Sequence, residues 1–333
     1  MGKVDEAFNR CLSENHRFAE CFNLAVGKSV IEPEGLSDKE RTVSGRHGRK
    51  KENDCIKEYQ HQVFCGIVGI EGQNKVCIPM AARNYIYEAM RYDEQLTEIR
   101  KAHRKNKDVE GAEYLAGFAA TDRLIPVIIV CVYFGEEPWN APTSLHELLD
   151  FQGSLSERQE VFRSLVNDYQ LRILDVRRMD EDRISTMTTD LKHLFGMIQC
   201  SDNKTRLISY LNNNKKEVSD LDEDIYDTLE AIMNLGTLKE KIEETRNGGR
   251  VNMCKAIEDL EKELQELGEA KGRTKGRIEG RREGKLEGKL EGKLEAISTT
   301  IRILRQLGKD DTFILDSIMK EFQMEREVVL SLL

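Results

Sequence analysis

Ten consecutive residues, IPVIIVCVYF from Ile125 to Phe134, carry no charge and are dominated by β-branched side chains. Such a run, closed by Gly135-Glu-Glu-Pro-Trp139, reads as a strand covered on both faces, not as one alternating between core and water. A strand of that kind belongs in an α/β layer. The flanking segments agree. Residues 3–26 read as a helix with a broken apolar stripe of Val4, Phe8, Leu12, Phe18, Phe22 and Val26, and Lys28–Ile31 as a short strand. Residues 32–54 are charged and contain Gly and Ser, the composition of a mobile loop. The Val/Ile/Phe-rich 61–76 reads as a core strand, 81–102 as a helix, 103–113 as a polar stretch, Leu145–Leu149 as a short helix and Leu171–Val176 as a strand. Helical patterns dominate beyond Leu191, broken at Asn247-Gly248-Gly249. The order predicts a mixed sheet flanked by helices, followed by an α-helical tail.

Composition limits what such a fold can do. The formal net charge is −9, which argues against coating DNA by bulk electrostatics but leaves room for a local basic patch. The eight cysteines form no C-x-x-C pair and several sit in apolar runs, as buried reduced thiols do. The N-terminal MGKVDEAFNR has no apolar signal core, and Ile125–Phe134 is about half the length that crosses a bilayer. A cytoplasmic protein without a membrane segment is expected.

Alternate strand residues share a face, so Glu71, Gln73 and Lys75 of IEGQNKV are expected to point the same way. Asp54 lies seventeen residues before Glu71, at the entrance to the next element. Mg²⁺ takes hard oxygen ligands, usually one or two carboxylates with phosphate oxygens and water, and can activate a bound water. Spacing alone leaves two readings open: a metal site, or a half-exposed strand with a solvated polar face. Asp5 reads most simply as a helix N-terminal charge, Arg83 as a surface or salt-bridging arginine, and Trp139 as a packing anchor.

An ordered series of short matches narrows the choice. Asp5-x-x-Phe8, Asp54, Gly69-Ile70-Glu71-Gly72-Gln73, Met80-Ala-Ala-Arg83-x-x-x-Tyr87, and Pro126-Val127 through Tyr133-x-Gly135 to Pro138-Trp139 follow one another along residues 3–235. They resemble the recombination-promoting nuclease family, also called YhgA-like putative transposases. The resemblance implies a restriction-endonuclease-like fold and Mg²⁺-dependent DNA endonuclease activity in recombination or transposition. By the same resemblance Asp54 and Glu71 become the metal ligands and Gln73 takes the place usually held by a lysine. Arg83 becomes a phosphate-binding group, and Asp5 a peripheral one. Gln73 carries no positive charge, so Lys75 is the expected compensating catalytic group. A catalytically weak or inactive nuclease-like DNA-binding or assembly protein is the alternative.

The tail is a tetrapeptide repeat with glycine at 272, 276, 280, 284, 288 and 292. Glycine costs a helix about 1 kcal/mol relative to alanine, which leaves two readings open: a solvated, partly frayed helix or linker, or a helix steadied by close approach of a partner helix, and with it the expected homo-oligomer. The expected organisation is 1–235 nuclease-like, 236–268 a helical segment, 269–295 the repeat, and 296–333 a small helical segment. Met253, Ala256, Ile257, Leu260, Leu264 and Leu267 form an apolar stripe, and Gly308 is the expected cap before Asp310-Asp311.

Overall fold

A computed structural model describes the chain apart from residues 1, 45–49, 63, 151–155, 234, 236 and 333. The side chains of 44, 50, 51, 204, 237, 238, 260, 261, 263–268, 270–272, 274, 275 and 278 are likewise outside the description. Leu260, Leu264, Leu267 and Gly272 of the expected tail pattern therefore lie outside the described side chains. The chain divides into two compact units, Met1–Asp259 and Leu260–Leu333.

The first unit opens with α1 (Lys3–Cys11) and α2 (Asn15–Val26). The single helix expected over 3–26 is thus two, because Glu14 starts afresh by accepting the amides of His16 and Arg17. Three short strands follow, β1 (Leu36–Asp38), β2 (Thr42–Ser44) and β3 (Lys50–Glu52), then β4 (Cys55–His61) and β5 (Phe64–Gln73). The expected strand at Lys28–Ile31 is absent. There the Asn23 side chain accepts the amides of Val30 and Ile31 and donates to the Ile31 carbonyl, replacing a ladder. The stretch 32–54, expected as a loop, holds β1 to β3 instead.

Beyond β5 come α3 (Met80–Asn106), α4 (Gly111–Ala116), β6 (Val127–Tyr133), α5 (Leu145–Leu148), α6 (Glu157–Ser164) and β7 (Arg172–Asp175). Then follow α7 (Glu181–Ser185), α8 (Leu191–Cys200), α9 (Lys204–Asn213), α10 (Lys215–Val218), β8 (Leu221–Asp222), α11 (Glu223–Met233), α12 (Thr237–Glu243) and β9 (Arg250–Val251). One sheet has the order β1-β4-β5-β6-β7. Its β1/β4 and β4/β5 pairs are antiparallel and its β5/β6 and β6/β7 pairs parallel. It is the mixed, helix-flanked sheet that the sequence predicts.

Both faces of β5 and β6 are covered, which is why Ile125–Phe134 reads as an unbroken apolar run. Val68, Ile70, Val130 and Val132 join the main core with Phe8, Phe18, Phe22, Phe195 and Leu229. The alternate residues Ile67, Val127 and Ile129 pack with Ile56 and Tyr87, under α3. Trp139 stands edge-on to Tyr133, ring centroids 5.1 Å apart, as a packing anchor. All eight cysteines are free. No helix among the described residues is long and apolar enough to cross a membrane.

Helix α13 (Met253–Gln306) runs unbroken through every glycine of the repeat. It ends at Gly308 in the left-handed region, φ 74°, followed by α14 (Asp311–Phe322), capped by Asp310, and α15 (Arg326–Leu330). Ile297, Ile301, Ile314, Leu315, Ile318 and Val329 form a separate small core there.

Candidate functional site

The β4/β5 ladder begins with Cys55 opposite Ile70, so the residue before Cys55 lies level with the one after Ile70. Those residues are Asp54 and Glu71. Both are buried, and the Asp54 amide donates to Glu71 Oε1 at 3.2 Å. Asp54 Oδ2 in turn accepts the Gly72 amide at 3.0 Å. The seventeen-residue separation is thus closed by a tight antiparallel pair.

Glycine at 72 has a steric reason. A Cβ there would stand 2.8 Å from Cδ1 of Phe8, so the ring of α1 rests directly on the strand. Phe8 also packs edge-on against Phe134 at 4.9 Å. This docking brings Asp5, one turn earlier, close enough for its charge to act on Asp54. Asp5 also accepts the Gly2 amide at 3.0 Å, so it serves the helix start as well.

From the other face, α3 supplies Arg83. Its Nη2 stands 3.4 Å from Glu71 Oε2, its Nε donates to the Tyr87 hydroxyl at 3.0 Å, and the guanidinium lies over the Tyr87 ring. Two further residues complete the constellation, and sequence reasoning missed both. Asn53 Nδ2 donates to Glu71 Oε1 at 3.0 Å. Asn53 Oδ1 accepts Nε and Nη2 of Arg91 at 3.3 and 3.0 Å. Arg91 is wholly buried and also binds the carbonyls of Glu40 and Arg41, each at 2.8 Å, and Glu94 at 3.0 Å. This clamp is what orders the segment before Asp54. A signal was present: Asn84, Tyr87, Glu88, Arg91 and Gln95 recur at helical spacing on the buried side of α3, and polar groups on a buried face need partners.

Gln73 is the last residue of β5 and on the same side as Glu71, half-buried, with its amide donating to the Gly72 carbonyl at 2.6 Å. Lys75 departs from the expectation. β5 ends at Gln73, so Lys75 lies in the bend beyond it, exposed, and strand alternation does not carry it onto the Glu71 face.

Burial holds the Glu71 carboxyl above the usual carboxylate range, and the charge of Asp54 raises it further, against the opposing bond from Asn53 and the charge of Arg83. Asp54 is raised as well, first by burial and then by Asp5, while the Gly72 amide and Arg83 pull it down. Two acids pressed together out of water favour either a proton or a cation between them. Among the described residues no group of three or more His, Cys, Asp and Glu could hold a metal ion. The donor set of two hard carboxylates fits Mg²⁺ bound with phosphate and water as its remaining ligands.

Residues 102–228 match the model of the family described as putative transposase, YhgA-like. The match spans less than half of the chain and supports a YhgA-like assignment for that segment. The matched segment runs from the end of α3 through β6 and β7 into α11, and the carboxylate pair lies before it. No curated protein and no solved structure matches the chain.

Proposed function

We propose that this protein is a Mg²⁺-dependent DNA endonuclease, with Asp54 and Glu71 as the residues that hold the metal. The observation that carries the reading is the pairing of these two buried acids at the mouth of the β4/β5 ladder, backed by Asn53 and Arg91 and faced by Arg83. When bound, Mg²⁺ would polarise a phosphodiester oxygen and acidify a water. The chain's own residues do the rest. The Gly72 amide and Asn53 fix the orientation of the two carboxylates. Arg83, released from Glu71 when a cation takes its place, presents two parallel donors to a phosphate. Gln73 orients water at the strand end. A self-associating tail brings two such units into one particle, enough to meet both strands of a duplex.

The YhgA-like match favours a DNA-directed role in transposition or recombination without identifying a reaction. A second reading, a nuclease-like fold that binds DNA without cutting it, is favoured by the uncharged Gln73 and by the exposed position of Lys75 beyond the strand. Incubating the full chain with supercoiled plasmid and Mg²⁺ separates the two. Nicking that falls at least about 100-fold in Asp54→Ala and Glu71→Ala supports the nuclease reading. Cleavage that survives both substitutions ends it. Retained binding with no cleavage by the wild type selects the second.

A further inference from the structure

The segment Glu283–Glu295 repeats Glu-Gly-Lys-Leu and is helical throughout. Successive residues advance about 100° around a helix, so the four residue types occupy four sides. Leu286, Leu290 and Leu294 lie opposite Gly284, Gly288 and Gly292, with glutamates on one flank and lysines on the other. The leucines are 61%, 61% and 40% exposed. A Cβ at Gly284, Gly288 or Gly292 would meet nothing within 4 Å. Along the flanks, like charges recur at i and i+4 (Glu287 with Glu291, Lys285 with Lys289), a spacing that weakens a solitary helix. Glutamate and lysine two residues apart point to opposite sides, so neither flank neutralises itself.

We propose that the leucine face of this repeat seats against the same face of a second copy of the chain, the two helices running in the same direction. Charge selects the occupant and its direction together. A two-fold axis along the pair sets the glutamate flank of one copy beside the lysine flank of the other, on both sides of the seam. Antiparallel copies meeting through the leucine face would set glutamate beside glutamate and lysine beside lysine. Leucine of one copy against glycine of an antiparallel neighbour also pairs unlike charges. That contact leaves both faces of each copy in use and grows into an open array instead of a closed pair. Columns at i and i+4 drift about 40° per repeat, so the helices cross right-handedly near −50°, with i±4 ridges interdigitating. The inference rests on self-association of the tail and is independent of the nuclease reading.

The test uses the full chain. Sedimentation equilibrium is expected to give a dimer. Leu286→Cys and Leu294→Cys, oxidised separately, are each expected to give a covalent dimer on a non-reducing gel where the wild type, with its eight free cysteines, gives none. An antiparallel pair can bring at most one of these positions level with its own copy. The triple variant Lys285→Glu, Lys289→Glu, Lys293→Glu should dimerise at least about tenfold more weakly. Mixing it with Glu287→Lys, Glu291→Lys, Glu295→Lys should restore a one-to-one pair. A monomer at every concentration overturns self-association itself. A dimer that cross-links at one position or neither overturns the parallel leucine seam, as does an open, concentration-dependent series of larger species.

Discussion

Replacing Arg91 with methionine keeps most of the stem's volume and deletes a guanidinium that the fold has fully enclosed. Asn53 Oδ1, buried, loses both Arg91 donors, whereas the carbonyl of exposed Glu40 can turn to water and the Arg41 carbonyl keeps the Asn53 amide at 3.1 Å. Glu94 loses one too, but its side chain is 23% exposed and can turn to water. An orphaned buried acceptor costs about 1–3 kcal/mol, and Asn53 Oδ1 is such an acceptor. The desolvation that Arg91 itself suffers is recovered, so the net is expected at about 1–3 kcal/mol. That is a large part of the roughly 5–15 kcal/mol that holds a domain together. The single tryptophan, Trp139, packed on Tyr133, reports the transition in a urea titration of the first unit. A midpoint corresponding to within about 1 kcal/mol of the wild type, taking mutational scatter into account, would refute the clamp. Loss of stability with an unchanged response to Mg²⁺ would instead confine Arg91 to scaffolding and deny it a part in orienting Glu71 through Asn53.

Gly72→Ala forces a methyl against the Phe8 ring at 2.8 Å; overpacking of this kind costs about 1–3 kcal/mol, and a compensating Phe8→Leu should recover part of it in the same urea assay. His103, between Asp122 and Asp108 at 2.7 Å each, is raised above its ordinary value first by the Asp122 bond and then by the Asp108 bond. Its contribution is complete below about pH 6.5 and is lost as pH rises through the raised value. The two aspartates are lowered by His103, so their contribution is lost as pH falls through their lowered values. Imidazole titration by NMR should place His103 above its ordinary value, and Asp122→Asn should bring it back down.

Much of this fold was legible because burial writes itself into composition. Ile125–Phe134 reads as a doubly covered strand because Val127–Tyr133 within it is packed on both faces, and the amphipathic α3 reads as a helix over 81–102. What stayed hidden was set by partners distant in sequence. β1 to β3 are three residues each and largely polar, so no local periodicity separates them from a loop. They are ordered by Arg91, some fifty residues later. Asp54 and Glu71 could be named from motif order, but the register that sets them level is a property of the β4/β5 ladder. Strand alternation sets Lys75 beside Glu71 only in a strand that continues past Gln73, and β5 stops there. In the tail, helix propensity argues against six glycines, yet α13 runs through them.

The central claim is that Asp54 and Glu71 together form one cation site, and thermal unfolding under Mg²⁺ titration at pH 8 tests it most directly. Two acids confined together repel, and Arg83 offsets that only in part, so the wild type should gain stability as Mg²⁺ is added, whereas Asp54→Asn and Glu71→Gln should each remove that gain while matching or exceeding the metal-free wild type. A wild-type Tm indifferent to Mg²⁺, or an equal rise in all three proteins, would contradict the account.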